Sequence, residues 1–195
     1  MLPRVGTVKN PSSLFPKKHF VLIAVFSLIA LILAILIRSG PRAGVIQEQD
    51  RRPMPALKLD LLNGETWSLI DHRGQVVVIN YWASWCAPCW YETPVLVRLS
   101  HELTPQELAV VGVAMDERTS SEVPQAVSHF IDALQVPYPI ALLTPMSQMS
   151  YGLEGLPATI LIDRRGRVAR IYAGAIRETT FRADVLALLK ESASE

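Results

Sequence analysis

Cysteine is scarce in this chain, with two residues in 195. Both stand in one segment, Cys86-Ala-Pro-Cys89, and no second CxxC exists. Histidine is nearly as sparse: His19, His72, His101 and His129 lie scattered, never as a close pair. A zinc site needs about four ligands held together, so no metal is assigned. No patch of basic residues interleaved with aromatics is present, which argues against nucleic acid as a partner. Repeats and low-complexity tracts are absent. Acidic residues are missing from the first 38 positions, which carry Arg4, Lys9, Lys17, Lys18 and Arg38. The remaining residues are net acidic, so the whole-chain balance of +1 hides an asymmetric distribution.

What is present begins with a hydrophobic run, Val76-Val-Val-Ile-Asn-Tyr-Trp82, that leads directly to the CxxC. A strand that delivers two thiols to a helix start is a redox device: one thiol attacks a disulfide and the other releases the product. The unpaired N–H groups of the first helical turn favour a thiolate at Cys86. Cys89 lies three residues on, on the same face. Pro88 has its φ preset and lacks only an N–H that the first turn does not use. Val95, Leu96, Leu99 and Leu103 continue the helix, with a kink expected at Pro94.

The second feature is Phe20 to Ile37, uncharged and with Ser27 as its only polar side chain. As a helix it would be about 27 Å long, enough to cross a bilayer core. Its basic flank predicts residues 1–19 as a cytoplasmic tail, 20–37 as a transmembrane anchor and the remainder outside. A cleaved signal peptide fits less well, because Arg38-Ser-Gly-Pro-Arg-Ala-Gly44 offers no small-residue cleavage site. Residues 38–55, rich in Gly, Pro, Arg and Gln, read as a linker.

Residues 56–195 read as one α/β domain. Leu57 to Leu69 around Asn63-Gly64 is a hairpin signal. Val76 to Trp82 and Leu108 to Ala114 are buried strands. A helix is expected over Glu122 to Leu134 and a short strand over Tyr138 to Leu142. A hairpin over Thr159 to Tyr172 turns at Arg164-Arg-Gly166, and Thr180 to Leu189 closes the chain as a helix. This order predicts a mixed sheet covered by helices.

Two segments carry a resemblance. Asn80-Tyr-Trp-Ala-Ser-Trp-Cys-Ala-Pro-Cys-Trp-Tyr-Glu-Thr-Pro94 resembles the active-site segment of the membrane-anchored, thioredoxin-like disulfide reductases of the bacterial cell envelope, the TlpA, ResA and CcmG group. Gly155-Leu-Pro-Ala-Thr-Ile-Leu-Ile-Asp-Arg-Arg-Gly-Arg167 is similar to that group's second signature, a cis-proline loop followed by a hairpin. The resemblance implies a thioredoxin-like mixed sheet flanked by helices, preceded by one transmembrane helix. It implies a redox disulfide Cys86–Cys89, with Cys86 the exposed nucleophile and Cys89 the buried resolving thiol. Pro157, which the residues alone would class as an ordinary trans loop proline, becomes the cis-proline opposite the disulfide. Leu156 then offers its backbone to an extended client, alongside Trp85, Ala87 and Pro88. Glu92 takes the acid position of the group's CxxCxxExP pattern, where a carboxylate would raise the thiol pKa and relay protons. The alternative for Glu92 is a solvated helix residue. Asn80 stands where thioredoxins of the cytoplasm carry a buried acid, and otherwise satisfies backbone groups.

The chain also departs from the group. Trp90-Tyr91 replace Lys or Arg, and Ala158 follows Pro157 where relatives carry Thr or Glu. The implied enzyme is a thiol:disulfide oxidoreductase without a cofactor, held at the bacterial cytoplasmic membrane and facing the periplasm or cell exterior. Its partners would be a client disulfide, in an apocytochrome c or a copper-site assembly protein, and a thiol-disulfide electron donor in the membrane. Ala-Pro between the cysteines, no neighbouring His and Glu92 nearby all favour a reductant. The rival reading is a Cu(I) metallochaperone using Cys86 and Cys89, with Met146 and Met149 as added soft ligands. A peroxide-reducing enzyme would want a Thr-x-x-Cys loop, which Ser84 to Cys86 does not supply.

Overall fold

The computed structural model describes residues 23, 25–33, 44–103, 107–116, 124–142 and 155–192. The chain divides into two units, Met1–Gly40 and Pro41–Glu195. In the first, residues 23 and 25–33 are helical, and Ile23, Phe26, Leu28 and Leu31 are exposed. Both ends of the expected span 20–37 and the tail 1–19 lie outside the described residues. No helix among the described residues is long and apolar enough to cross a membrane.

The second unit is built on a five-stranded mixed sheet. Its strands are β3 (Val76–Trp82), β4 (Leu108–Ala114), β5 (Ile140–Leu142), β6 (Ala158–Ile162) and β7 (Val168–Ala173), in the order β5-β4-β3-β6-β7. β4 runs parallel to β3 and β5, whereas β6 is antiparallel to β3 and β7. β3 and β4 have the bounds expected from their apolar runs. Every residue of β3 is buried, because the central strand is covered on both faces.

Its two faces enter two cores. Val76, Val78 and Trp82 pack with Leu96 and Leu99 of α1 (Ala87–Glu102), Phe130 of α2 (Gln125–Leu134) and Phe181 of α3 (Glu178–Leu189). Trp82 stacks on Phe130 at 4.0 Å between centroids, an arrangement worth about 0.5–1.5 kcal/mol beyond its buried area. Val77, Ile79 and Tyr81 pack against Leu59 and Trp67 of a two-stranded sheet, β1 (Lys58–Asp60) with β2 (Thr66–Ser68). Among the described residues, helices therefore cover one face of the sheet and a hairpin the other.

The hairpin turns as expected at Asn63-Gly64, but through a longer loop. Gly64 donates to the Leu61 carbonyl (3.0 Å), and Leu61 donates to the Glu65 carbonyl (2.8 Å). Gly64 sits at φ +85°, a left-handed conformation that glycine adopts without penalty and that resets the strand after a type I turn. α2 begins at Gln125 behind Pro124; Glu122 and Val123 lie outside the described residues. At Gly112 of β4 the first core leaves no room for a side chain. A Cβ there would meet Ile140 Cδ1 at 2.5 Å and Trp82 Nε1 at 2.9 Å.

The structure corrects the linker reading for residues 44–55. Ile46 donates to the Ala169 carbonyl (2.8 Å), Met54 to the Gly166 carbonyl (2.9 Å), and Val168 to the Arg52 carbonyl (2.9 Å). Arg51 is buried between Asp163 (3.1 Å) and Glu191 (2.6 Å). The segment has no apolar period because backbone bonds and ion pairs, rather than an apolar stripe, hold it on β7.

Candidate active site

β3 ends in buried Trp82, Ala83 after it is buried too, and the chain then turns so that Cys86 donates to the Ala83 carbonyl at 3.1 Å. Cys86 is the N-cap of α1 in an extended conformation, with Ala87 and Pro88 as the first helical residues. This puts Cys86 at the positive end of the helix, where an anionic sulfur is stabilised. Cys86 and Cys89 form a disulfide, with Cα atoms 5.3 Å apart.

Cys89 is fully buried, as expected. Cys86 is not exposed, however; only 5% of it is accessible. In the disulfide its side chain turns into the first core rather than outward. The accessible surface here belongs to its neighbours: Trp85 is 72% and Tyr91 83% exposed, and Ala87 and Pro88 are exposed. The Trp90-Tyr91 pair is thereby split. Tyr91 faces solvent, while the Trp90 indole packs edge-on against Phe130 and donates to the Ser84 carbonyl at 2.9 Å.

Glu92, one helical turn past Cys89, points inward and is 2% exposed. Its Oε1 accepts from Asn80 Nδ2 at 2.6 Å, and its Oε2 accepts from the Ile176 N–H at 2.9 Å. The reading of Glu92 as a solvated residue is overturned. Asn80 also donates to Thr159 Oγ1 at 3.0 Å, so its amide serves side chains and not backbone groups. Burial pushes the Glu92 carboxyl above its ordinary range, and the bonds from Ile176 and Asn80 only partly oppose that. The group is thus held towards its neutral, proton-carrying form.

This has a consequence for stability. Between the ordinary glutamate value of 4.5 and the raised one, the folded chain keeps a proton that the unfolded chain has released. Stability is therefore full at low pH and falls as pH rises through that window. Glu92→Gln is expected to remove that fall, read as urea midpoints between about pH 4.5 and 8. The same pH slope in the variant would rule out Glu92 as its source.

Pro157 is buried, follows a cis peptide bond from half-buried Leu156, and immediately precedes β6. Ala158 pairs with Tyr81 of β3, so Pro157 stands at the end of the sheet from which the CxxC loop leaves. The loop after β7 ties the two motifs together. Gly174 donates to the Pro157 carbonyl (2.8 Å), and Ile176, two residues on, donates to Glu92.

One further residue was not foreseen. Asp116, just beyond β4, accepts from the Ser84 backbone N–H (3.0 Å) and from the Ser84 hydroxyl. The signal that could have found it is topological: β4 is parallel to β3, so its C-terminal end must emerge beside the CxxC. No group of three or more His, Cys, Asp or Glu suited to a metal occurs among the described residues; Met146 and Met149 lie outside them. A cleft of about 300 Å³, lined by Trp67, His72, His101 and Tyr138, contains none of the predicted site residues. The disulfide lies beside open surface instead, which suits exchange with another protein.

Comparisons with known proteins agree with this geometry. The profile of the AhpC/TSA family matches residues 51–171. The thiol-disulfide oxidoreductase ResA of Bacillus subtilis is 30% identical over 70% of this chain and 73% of its own length. The thiol:disulfide interchange protein DsbE of Yersinia pestis is 29% identical over 93% of this chain and 97% of its own length. The solved structure of a secreted thiol-disulfide isomerase from Corynebacterium glutamicum superposes with a TM-score of 0.66 at 27% identity, covering 75% of this chain and 91% of that one. The thioredoxin-like α/β fold is thereby established, and the chain belongs to the AhpC/TSA family as a thiol-disulfide oxidoreductase of the ResA and DsbE type with a close cysteine pair.

Proposed function

We propose that this protein is a disulfide reductase acting on extracytoplasmic client disulfides, in apocytochromes c or copper-site assembly proteins. In the reduced enzyme the Cys86 thiolate attacks one client sulfur, forming a mixed disulfide and expelling the other as a thiolate. Cys89 then attacks the Cys86 sulfur, closing the Cys86–Cys89 disulfide and releasing the first client sulfur. Two electrons and two protons pass to the client, and a dithiol donor in the membrane restores the enzyme. Glu92 passes a proton during resolution. Trp85, Ala87, Pro88, Leu156 and Pro157 receive the client strand. Residues 1–19 lie in the cytoplasm and 20–37 anchor the chain in the bacterial cytoplasmic membrane. Residues 56–195 work outside it, in the periplasm or at the cell exterior.

The observation that carries this reading is the buried Glu92 carboxyl behind the dithiol. With Ala-Pro between the cysteines, little favours the thiolate except the helix terminus, and a poorly stabilised thiolate makes a good electron donor. The resemblance of this chain to ResA and DsbE over most of their lengths supports the same reading.

Equilibrating the full chain in detergent with thiol-disulfide buffers tests the direction. The midpoint is expected nearer the roughly −270 mV of thioredoxin than the roughly −120 mV of DsbA. A midpoint near the latter would make the protein an oxidant and overturn the proposal.

A further inference from the structure

We infer that Asp116 is a positioning residue for Cys86, setting both the presentation and the charge environment of the attacking thiol through Ser84. This rests on Cys86 being the nucleophile, as proposed above. Ser84 lies two residues before Cys86, and all its polar groups are committed. Its N–H and hydroxyl donate to the Asp116 carboxylate, and its carbonyl accepts from the Trp90 indole. Asp116 is itself held in place, 7% exposed, because Met115 donates to the Trp82 carbonyl at 2.7 Å. The turn from Ala83 to Cys86 is thus fixed at one end by the residues just past β4 and at the other by Trp90, which packs edge-on against Phe130. A turn held this way cannot swing when the Cys86–Cys89 bond opens, so the thiol stays at the start of α1, beside exposed Trp85, Ala87 and Pro88.

A carboxylate at this place also opposes formation of a second negative charge at Cys86. It works against the helix terminus and so keeps the dithiol a good donor. The other ionisable groups packed around this core are Glu92, one turn past Cys89, buried Tyr138 before β5, and His129 of α2, whose ring centroid is 6.0 Å from that of Trp90. All three stay in place in the variants below.

The test uses the full chain in detergent, reduced, alkylated with iodoacetamide across pH, and assayed with a peptide disulfide as client. In the wild type the alkyl group is located by mass spectrometry. Its arrival at Cys89 first would refute Cys86 as the nucleophile without bearing on Asp116. Asp116→Asn keeps an acceptor for the Ser84 N–H and removes the charge. Its alkylation midpoint is expected to fall by up to about one pH unit, which is tenfold more thiolate at a fixed pH below the midpoint. Ser84→Ala keeps the charge and loses the hydroxyl bond. It is expected to slow client reduction several-fold without lowering the midpoint. An unchanged midpoint in Asp116→Asn, or wild-type client reduction in Ser84→Ala, overturns the inference. Where Asp116→Asn does not fold, Ser84→Ala decides alone.

Discussion

Replacing Cys89 by Ser is expected to trap Cys86 in mixed disulfides with client proteins, and replacing Cys86 by Ser is expected to trap almost none. The asymmetry follows from position. Cys86 is the helix N-cap, at the positive end of α1 and beside exposed Trp85, Ala87 and Pro88, whereas Cys89 lies wholly inside the first core. Once the disulfide opens, only the sulfur next to that exposed surface can meet a client, and only the deeper one is in place to resolve the adduct. Each single variant loses the two-electron cycle, so turnover is expected to drop by at least about a thousandfold, as for other covalent nucleophiles. Non-reducing gels of cells expressing either variant, followed by mass spectrometry of the adducts, give the readout. Adducts on Cys86→Ser in place of Cys89→Ser would reverse the assignment of the nucleophile.

Asp163→Ala is expected to cost about 3–5 kcal/mol of stability, because it takes one of two carboxylates from a buried guanidinium and the acceptor from two backbone donors. Asp163, 2% exposed, is a hub at the far end of β6 from Pro157. It accepts from Arg51 Nη1 (3.1 Å), from Arg167 Nε (2.8 Å), and from the backbone N–H groups of Arg165 (3.0 Å) and Arg167 (2.9 Å). Without it, the Arg51 side chain stays buried with Glu191 alone, and two backbone donors of the β6–β7 turn lose their acceptor. The same loss would loosen the segment 44–55 from β7. Urea unfolding of the variant against wild type measures this. A loss below about 1 kcal/mol would mean that the ion pair contributes nothing beyond a surface bridge. Below the unfolding range, thiol exchange is expected to continue, since Asp163 touches none of the groups around the disulfide.

The parts of this protein that are local or periodic could be read from the chain alone. β3 and β4 were legible because a strand covered on both faces must be a continuous apolar run. The CxxC was legible because both thiols and the helix start that activates them fall within a few residues. The segment around Pro157 was legible as a motif. The extent of α1 through Pro94 also followed from apolar spacing after Cys89. The surroundings of the disulfide depend instead on contacts between residues far apart in the chain. Glu92 could be read as a solvated residue until Asn80 and Ile176 were seen closing on it, the latter 84 positions away. Asp116 reaches Ser84 across 32 positions and Arg51 reaches Asp163 across 112. Such polar pairs leave no period in the sequence, because each is a single contact made by the packing of the sheet and not a repeat imposed by one element. For the same reason residues 44–55 read as linker, and Cys86 read as exposed until the closed disulfide was seen turning its side chain into the core.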